Sequence, residues 1–457
     1  MKTILIQGGL LVDATRAVLG DLLIEGNKIA RVASLIEPSN LPDDVQRIDA
    51  RGLLVFPGFI DAHTHYHLIS RNTVTADGFV EGSKLAAFGG VTTIIDFADH
   101  QKGRSLAASA VQRSLAMSSE MAIDWALHQG VYRLGDELEE ELTAVAHMGI
   151  RIIKLFTTYK EIGYMLSYDQ IKKVLLVCKK LCLLPCIHCE DNQVIEKCAQ
   201  THPVFSKAVD HIQLRPSEAE ALAIKKVGEL ALELDVPVYI VHLSSLQGLE
   251  EVRWLRKQGA SIGVETTPHY LYLDQSLLAS ENGALHIMTP PLRTAEDGQA
   301  LRKALVEGEI DVVATDHCAF AKEQKLQSMG YPGIPGTEEM LSLVYTHEVA
   351  TKRISVTHLV RLLATNPARL FGLWPRKGSL KAGSDADVVL FDPQEKWTLS
   401  SSTLHSSSGY SSYEGMKVTG KVVMTIAQGV PIVKNGDWCG TKGSGHFIPS
   451  SASSLYT

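Results

Sequence analysis

Long apolar segments are absent from this sequence. No apolar run reaches the roughly 18 residues that a membrane-spanning helix needs. Near the start, Gln7 and Asp13 interrupt the stretch where a signal peptide would need an unbroken apolar core. A basic block is also absent, since 44 Lys and Arg face 51 Asp and Glu for a net charge of -7. These absences argue against membrane insertion, secretion and nucleic-acid binding, and they predict a soluble cytoplasmic protein.

Cysteine is scarce as well. Seven cysteines is a low and odd number for 457 residues, which predicts a reducing compartment rather than a secreted disulfide framework. Although Cys186 and Cys189 form a Cys-x-x-Cys, no second such pair follows at the spacing of a zinc knuckle. We therefore predict that Cys178, Cys182, Cys186 and Cys189 are small buried apolar residues.

Both ends of the chain carry the pattern of short β-strands. Residues 1–53 alternate apolar and polar positions around turns at residues 26–27 and 51–52, which is typical of a small antiparallel sheet. Similar strand patterns return at residues 386–391 and 418–433. The sequence thus predicts a small β-sandwich domain assembled from residues 1–53 and 373–442.

Between these ends, eight short apolar runs alternate with helical stretches. The runs span residues 54–60, 91–97, 124–131, 150–156, 184–187, 236–241, 261–266 and 311–314. Eight strand and helix repeats over roughly 300 residues predict a (β/α)8 TIM barrel, an α/β fold, within residues 54–372. Its clearest helix, 217–234, is predicted to use Ser217 as N-cap.

Two segments are rich in serine. Residues 400–414 also contain glycine and are predicted to form a loop. The tail, residues 443–457, has too few apolar residues to build a core of its own. Disorder and contact with a neighbouring subunit are both compatible with this composition.

Chemically active side chains lie within or just after five of the eight apolar runs. They are His63 and His65 on strand 1, Lys154 on strand 4, His188 on strand 5, His242 on strand 6 and Asp316 on strand 8. Each alone has a structural explanation, because a strand-end histidine is often a hydrogen-bonded core residue and a lysine can extend to solvent. The active site of such barrels lies at the C-terminal ends of the strands. Together these residues therefore predict a metal site.

Lys154 requires a chemical change to take part, because an ammonium cannot bind a metal. Its apolar neighbours should lower its pKa, and the neutral amine can react with carbon dioxide to form a carbamate. That anion could bridge two divalent ions. His63, His65 and Asp316 would surround one ion, and His188 and His242 the other.

Such a pair of ions predicts hydrolysis. Two metals activate a water molecule at neutral pH and polarise a carbonyl group; the donor atoms suit zinc, with manganese, cobalt and iron as alternatives. Asp316 could act as general base and then as general acid for a leaving nitrogen. Tyr159 could donate a hydrogen bond to the oxyanion, or it could be a packed aromatic at the barrel rim.

Several motifs extend these similarities along nearly the whole chain. Residues 57–65 read Pro-Gly-Phe-Ile-Asp-Ala-His-Thr-His, residues 157–160 read Thr-Thr-Tyr-Lys and residues 314–317 read Ala-Thr-Asp-His. Further motifs stand at residues 86–93, 366–368, 383–387 and 413–415. Together they resemble the cyclic-amide branch of the amidohydrolases, and within it the hydantoinase and dihydropyrimidinase group.

The resemblance implies ring opening of 5-substituted hydantoins or dihydropyrimidines to N-carbamoyl amino acids, in a homotetramer. It implies a binuclear centre of His63, His65, carboxylated Lys154, His188, His242 and Asp316. It also implies that Tyr159 donates to the oxyanion and that backbone groups at Thr289 and Pro332 contact the substrate ring. The family has Ser and Asn at the last two positions. Since Pro332 has no N–H to donate, the orientation of the ring and the identity of the substrate stay open.

Three alternatives remain. Dihydroorotases have an arginine shortly after the two histidines, whereas residues 66–68 here are Tyr-His-Leu, and we interpret His67 as a rim residue. Residues 267–270, Thr-Pro-His-Tyr, resemble allantoinases and dihydroorotases. A non-catalytic interaction protein of hydantoinase type would lose metal ligands, but all six positions are present.

Overall fold

The computed structural model describes residues 3–70, 72–202, 205–328 and 330–456. Within them the strands are β1 (Thr3–Val12), β2 (Ala17–Glu25), β3 (Lys28–Ala33), β4 (Gln46–Asp49), β5 (Leu54–Pro57), β6 (Phe59–Thr64), β7 (Ile69–Ser70), β8 (Thr73–Val74), β9 (Val91–Ala98), β10 (Asp124–Gly130), β11 (Ile152–Phe156), β12 (Leu184–His188), β13 (Val238–Ile240), β14 (Ile262–Thr266), β15 (Val312–Val313), β16 (Val388–Thr398), β17 (Lys417–Ala427), β18 (Val430–Lys434) and β19 (Asp437–Trp438).

The α-helices lie mainly between the strands of the central part of the chain. They are α1 (Phe79–Phe88), α2 (Leu106–Ser118), α3 (Leu138–His147), α4 (Tyr168–Leu181), α5 (Asn192–Thr201), α6 (Asp210–Leu214), α7 (Ser217–Leu234), α8 (Leu246–Lys257), α9 (Pro268–Tyr272), α10 (Ala295–Glu307), α11 (Lys322–Gln327), α12 (Met340–Val344), α13 (Val356–Val360) and α14 (Asn366–Leu370). None of the described helices is both long and apolar enough to cross a membrane.

The barrel is made of β6 and β9 to β15, which pair in parallel with their neighbours in sequence. The two ends of this sheet approach each other, because Thr64 of β6 forms a parallel bridge with His317, just after β15. The backbone N–H of His65 donates to the His317 carbonyl at 2.8 Å. The predicted (β/α)8 barrel is therefore confirmed.

The first predicted run, residues 54–60, is divided between two sheets. β5 belongs to the small sheet and β6 to the barrel. Gly58 separates them, and an added Cβ there would lie 2.0 Å from the Thr92 hydroxyl. Only glycine fits at this crossing.

Strands from both chain ends form one mixed sheet, which confirms that both ends build the small domain. β16 pairs antiparallel with β5, which joins the C-terminal strands to the N-terminal ones. The expectation of an antiparallel N-terminal sheet was wrong in part, because β4 and β5 run parallel to β1. The segment between β3 and β4 returns the chain to the start of β1, and alternation within a strand does not reveal that path.

Two local predictions need correction. Ser217 is the first residue of α7, and Pro216, with an extended ψ of 159°, occupies the N-cap position. Cys182 is exposed rather than buried, because it ends α4 in a left-handed conformation with φ of 52°. Cys178, Cys186 and Cys189 are buried, as predicted.

The serine-rich tail lies on the barrel of its own chain. The backbone of Trp125, at the start of β10, bonds to His446 and Ile448 at 3.0 and 2.8 Å. The Ile448 side chain is buried in the same apolar cluster as Ile60 and Ile95 of the barrel strands. Up to residue 456, the tail therefore covers the N-terminal end of the barrel; Thr457 lies outside the described residues.

A buried charge cluster joins the barrel to the small sheet. The ammonium of Lys377 contacts Asp124 of β10 and lies 3.0 Å from the Asp385 carboxylate and 2.6 Å from that of Asp387. Burial opposes the positive charge, but the carboxylates hold the pKa of Lys377 above its usual range. The ammonium thus compensates the charge of three converging carboxylates, of which Asp385 also pairs with Lys28 and Arg376.

Replacement of Lys377 by Met should strongly destabilise the fold. Removing one partner of a buried ionic cluster leaves uncompensated charge, which costs about 3–5 kcal/mol. Lys421→Met is the matched control, because Lys421 pairs with Glu395 in an exposed position on the small sheet, where such pairs add little. Urea unfolding of both variants measures the difference, and equal losses of stability would contradict this account.

Candidate metal centre and substrate cavity

All nine residues proposed for the site line one cavity that opens to solvent. They are His63, His65, Lys154, Tyr159, His188, His242, Thr289, Asp316 and Pro332. Because the strands are parallel, their C-terminal ends lie at the same end of the barrel and bring these distant positions together.

The first group of ligand atoms comes from the two ends of the barrel sheet. The Nε2 atoms of His63 and His65 lie 3.3 and 3.2 Å from Oδ1 of Asp316. All three side chains offer atoms within 4.8 Å of one another. Two imidazoles and a carboxylate at this spacing fit one divalent cation.

The second group consists of His188 and His242, whose ring centres are 4.6 Å apart. Nε2 of His188 lies 2.7 Å from Glu190, so Nδ1 is the ring nitrogen that this contact leaves for a metal. Nδ1 of His242 is buried and has no hydrogen-bond partner among the described residues. A buried polar atom without a partner is costly, so this histidine too fits a metal.

Lys154 lies among these ligands with its side chain buried. Its ammonium is 5.2 Å from the ring centre of Phe97 and 5.0 Å from that of Phe156. Burial lowers the pKa of Lys154, and the charges of Asp316 and Glu265 oppose that shift. A lowered pKa favours the neutral amine, which is the form that reacts with carbon dioxide.

Burial favours the neutral form of three of the four histidines. Burial lowers the pKa of His63 and His242 well below the usual value, and it also lowers the pKa of His188. Burial alone would raise the pKa of Asp316, but its contacts with the rings of His63 and His65, including a hydrogen bond with His65, hold it below its usual range. Neutral imidazoles and an ionised carboxylate are the forms that bind metals.

Three site residues have left-handed backbone conformations. The φ angles are 66° at Tyr159, 39° at His242 and 50° at Asp316. Each residue lies just beyond the end of a barrel strand, where the chain turns away. Such conformations cost about 1–3 kcal/mol each and persist where surrounding contacts hold them, often at functional sites.

Buried carboxylates that the sequence analysis did not identify contact the candidate ligands. Glu265 of β14 lies 2.8 Å from Nδ1 of His63 and accepts the backbone N–H of His242 at 3.1 Å. Glu190 lies between His188 and Arg215, whose Nη1 donates to it at 2.6 Å. The only sequence signal was a charged residue in or directly after an apolar strand.

Asp61 precedes the two histidines and does not line the cavity. Its carboxylate accepts the backbone N–H of Thr315 at 3.0 Å and the hydroxyl of Thr337 at 2.8 Å. Asp61 therefore joins β6 to the segment that carries Asp316. His67 is exposed, in agreement with its interpretation as a rim residue.

The candidate substrate contacts stand around the ligands. The ring centre of Tyr159 is 5.2 Å from that of His188 and 5.0 Å from the Arg215 guanidinium. The Thr289 hydroxyl lies 3.3 Å from Nε2 of His211. These residues and Pro332 surround the space above the ligands, where a small ring could bind.

Known proteins resemble this chain over its full length. Residues 54–432 match the amidohydrolase family. D-phenylhydantoinase of Escherichia coli O1:K1 is 35% identical over 97% of each chain, and D-hydantoinase of Ralstonia pickettii is 35% identical over 97% of this chain and 98% of that protein. The crystal structure of dihydropyrimidinase from Brevibacillus agri superposes with a TM-score of 0.95 at 32% identity, covering 99% of both chains. The chain therefore belongs to the amidohydrolase family, in its hydantoinase and dihydropyrimidinase group.

Proposed function

We propose that the protein hydrolyses the ring amide of 5-substituted hydantoins or dihydropyrimidines to give N-carbamoyl amino acids. The observation that carries the proposal is the convergence of four histidines, one buried lysine and one aspartate in a single cavity. The relatives named D-phenylhydantoinase, D-hydantoinase and dihydropyrimidinase support the class of substrate.

The proposed centre holds two divalent ions, with zinc as the first candidate and manganese, cobalt or iron as alternatives. His63, His65 and Asp316 would hold one ion, His188 and His242 the other, and carboxylated Lys154 both. When bound, the ions activate a water molecule as nucleophile and polarise the scissile carbonyl.

Residues of the cavity would carry out proton transfer, stabilise the oxyanion and position the substrate. Asp316 accepts the proton of the attacking water and delivers it to the ring nitrogen as the C–N bond breaks. Tyr159 donates its hydroxyl proton to a hydrogen bond with the carbonyl oxygen, which becomes negative as the water adds. Backbone groups at Thr289 and Pro332 hold the ring in place.

The residues that line the cavity also help to distinguish the proposed function from its alternatives. No arginine is among the described residues that line it, so a dihydroorotate carboxylate would have no guanidinium partner there. Allantoin remains the second cyclic substrate to test. A non-catalytic role is disfavoured because all six ligand positions retain metal-binding chemistry. The homotetramer stays a prediction from the family resemblance.

The purified protein should hold close to two divalent ions per chain, and Asp316→Asn should abolish most turnover. Loss of a general base lowers rates by roughly 10²–10⁴-fold, and loss of a ligand should reduce metal content as well. His67→Asn is the matched control, because His67 is exposed beside the histidine pair. Elemental analysis and steady-state kinetics measure both effects. Full activity in metal-free protein would refute the mechanism.

Lys154→Arg should lose metal and activity together. Arginine keeps the positive charge but stays protonated and cannot be carboxylated. Lys160→Arg is the control, since Lys160 is exposed and pairs with Glu196. Lys154→Ala should regain part of its turnover when acetate or propionate is added with metal. An unmodified lysine in a crystal structure of the active, metal-loaded enzyme would exclude the carbamate.

A substrate panel tests the choice among cyclic amides. We expect a higher kcat/KM for 5-substituted hydantoins or dihydrouracil than for dihydroorotate, because the described cavity lining offers no arginine for a carboxylate. Allantoin completes the panel. The proposed substrate class is wrong if dihydroorotate or allantoin has a higher kcat/KM than every hydantoin and dihydropyrimidine.

A further inference from the structure

A buried lysine outside the candidate metal centre lies behind the wall of the cavity. Lys325 of α11 is almost completely buried, and its Nζ donates to the carbonyl oxygens of Ile287 at 2.7 Å and Gly333 at 2.5 Å. Across the part of the chain that the structure describes, it forms no ion pair with a carboxylate. Burying an ammonium without a counter-charge costs free energy. The two carbonyl contacts are therefore the interactions that stabilise the charge of Lys325.

Those two carbonyls belong to the two segments that carry the candidate substrate contacts. Ile287 lies two residues before Thr289, and Gly333 directly follows Pro332. The segments also bond to each other, because the Gly333 N–H donates to the Ile287 carbonyl at 2.9 Å. One ammonium therefore bridges the two segments beside their direct hydrogen bond.

Gly333 also has little freedom to move on its other side. Its φ is 133°, and an added Cβ would lie 2.3 Å from the Cys318 carbonyl oxygen. The Cys318 N–H donates to the Ile334 carbonyl at 3.0 Å. Cys318 lies two residues after Asp316, the proposed proton carrier. A shift of Gly333 against Cys318 would therefore also move the neighbouring Pro332 relative to Asp316.

We propose that Lys325 is a positioning residue for the substrate, which it holds in place through the backbone segments of Thr289 and Pro332. This inference depends on the proposed function, because it assigns the ring of the substrate to the space between these two segments. Lys325 itself does not line the cavity, so it would act on binding and not on the chemical step.

The protonation of Lys325 should influence this role. Burial lowers its pKa to about 7, with Cys318 opposing the shift. The other titratable groups that face it are Tyr410, whose ring centre is 5.8 Å from Nζ, and His286, whose pKa burial lowers to about 4. An ammonium donates stronger hydrogen bonds than a neutral amine. The two segments should therefore be held more tightly below pH 7 than above it.

The test compares metal-loaded wild type with Lys325→Met and with the control Lys322→Met on the same helix. Both carbonyls keep a donor in Lys325→Met, because Ile287 still accepts the Gly333 N–H and Gly333 still accepts the Tyr410 hydroxyl at 3.3 Å. The variant should therefore fold. A lost charge-assisted hydrogen bond predicts a KM for a 5-substituted hydantoin raised roughly tenfold or more, with kcat and metal content near wild type.

The pH dependence supplies a second readout. The wild-type KM should rise between pH 6 and 9, so the ratio of the Lys325→Met and wild-type KM values should shrink as the lysine loses its proton. An unchanged KM in Lys325→Met overturns the proposal, as does a parallel loss of kcat and metal at constant KM. If Lys325→Met fails to fold, Lys325→Gln, which keeps a neutral donor but removes the charge, carries the test, and an unchanged KM in that variant equally overturns the proposal.

If the proposed function itself is wrong, the measurements give a different result from a failure of the Lys325 proposal alone. In that case, wild type would open no hydantoin and no dihydropyrimidine. A crystal structure of Lys325→Met would then decide the structural part. Displacement of residues 287–289 and 332–333 would support the role of Lys325, and an unchanged separation of these segments would refute it.

Discussion

The candidate metal centre depends on the closure of the barrel between its first and last strands. His63 lies in β6 and His65 directly follows it, whereas Asp316 follows β15, so the three candidate ligand atoms meet only if these strand ends lie side by side. The carboxylate of Asp61 holds them there through Thr315, as does the bridge from Thr64 of β6 to the residue after Asp316. A buried hydrogen-bonded carboxylate between two strands is a strong geometric constraint, because leaving it without partners would be costly.

Burial accounts for much of the chemistry at this site. The low-dielectric interior disfavours charge on His63 and His242, which keeps the imidazoles neutral, and it favours the unprotonated amine of Lys154. Glu265 and Glu190 then fix the orientation of individual rings through short contacts. The protein thus prepares its ligands by excluding water and by placing carboxylates beside selected ring nitrogens.

Much of the architecture could be read from local pattern. Eight apolar runs with helical stretches between them predict a barrel, because parallel strands buried on both faces require continuous apolar sequence. The positions of His188 and His242 at strand ends then predict one shared site, since parallel strands end on the same side. All nine proposed site residues do line one cavity. Their roles as ligands and substrate contacts remain predictions.

The sequence by itself determined the strands, the barrel and the set of side chains at its C-terminal end, because these follow from local periodicity and strand direction. Only the tertiary structure decided which distant groups meet. The parallel pairing of β4 and β5 with β1, the covering of the barrel by Ile448 and the contacts of Glu265 and Lys325 all join residues far apart in the chain. Such contacts depend on the path of the connecting segments and on burial, which local pattern does not encode.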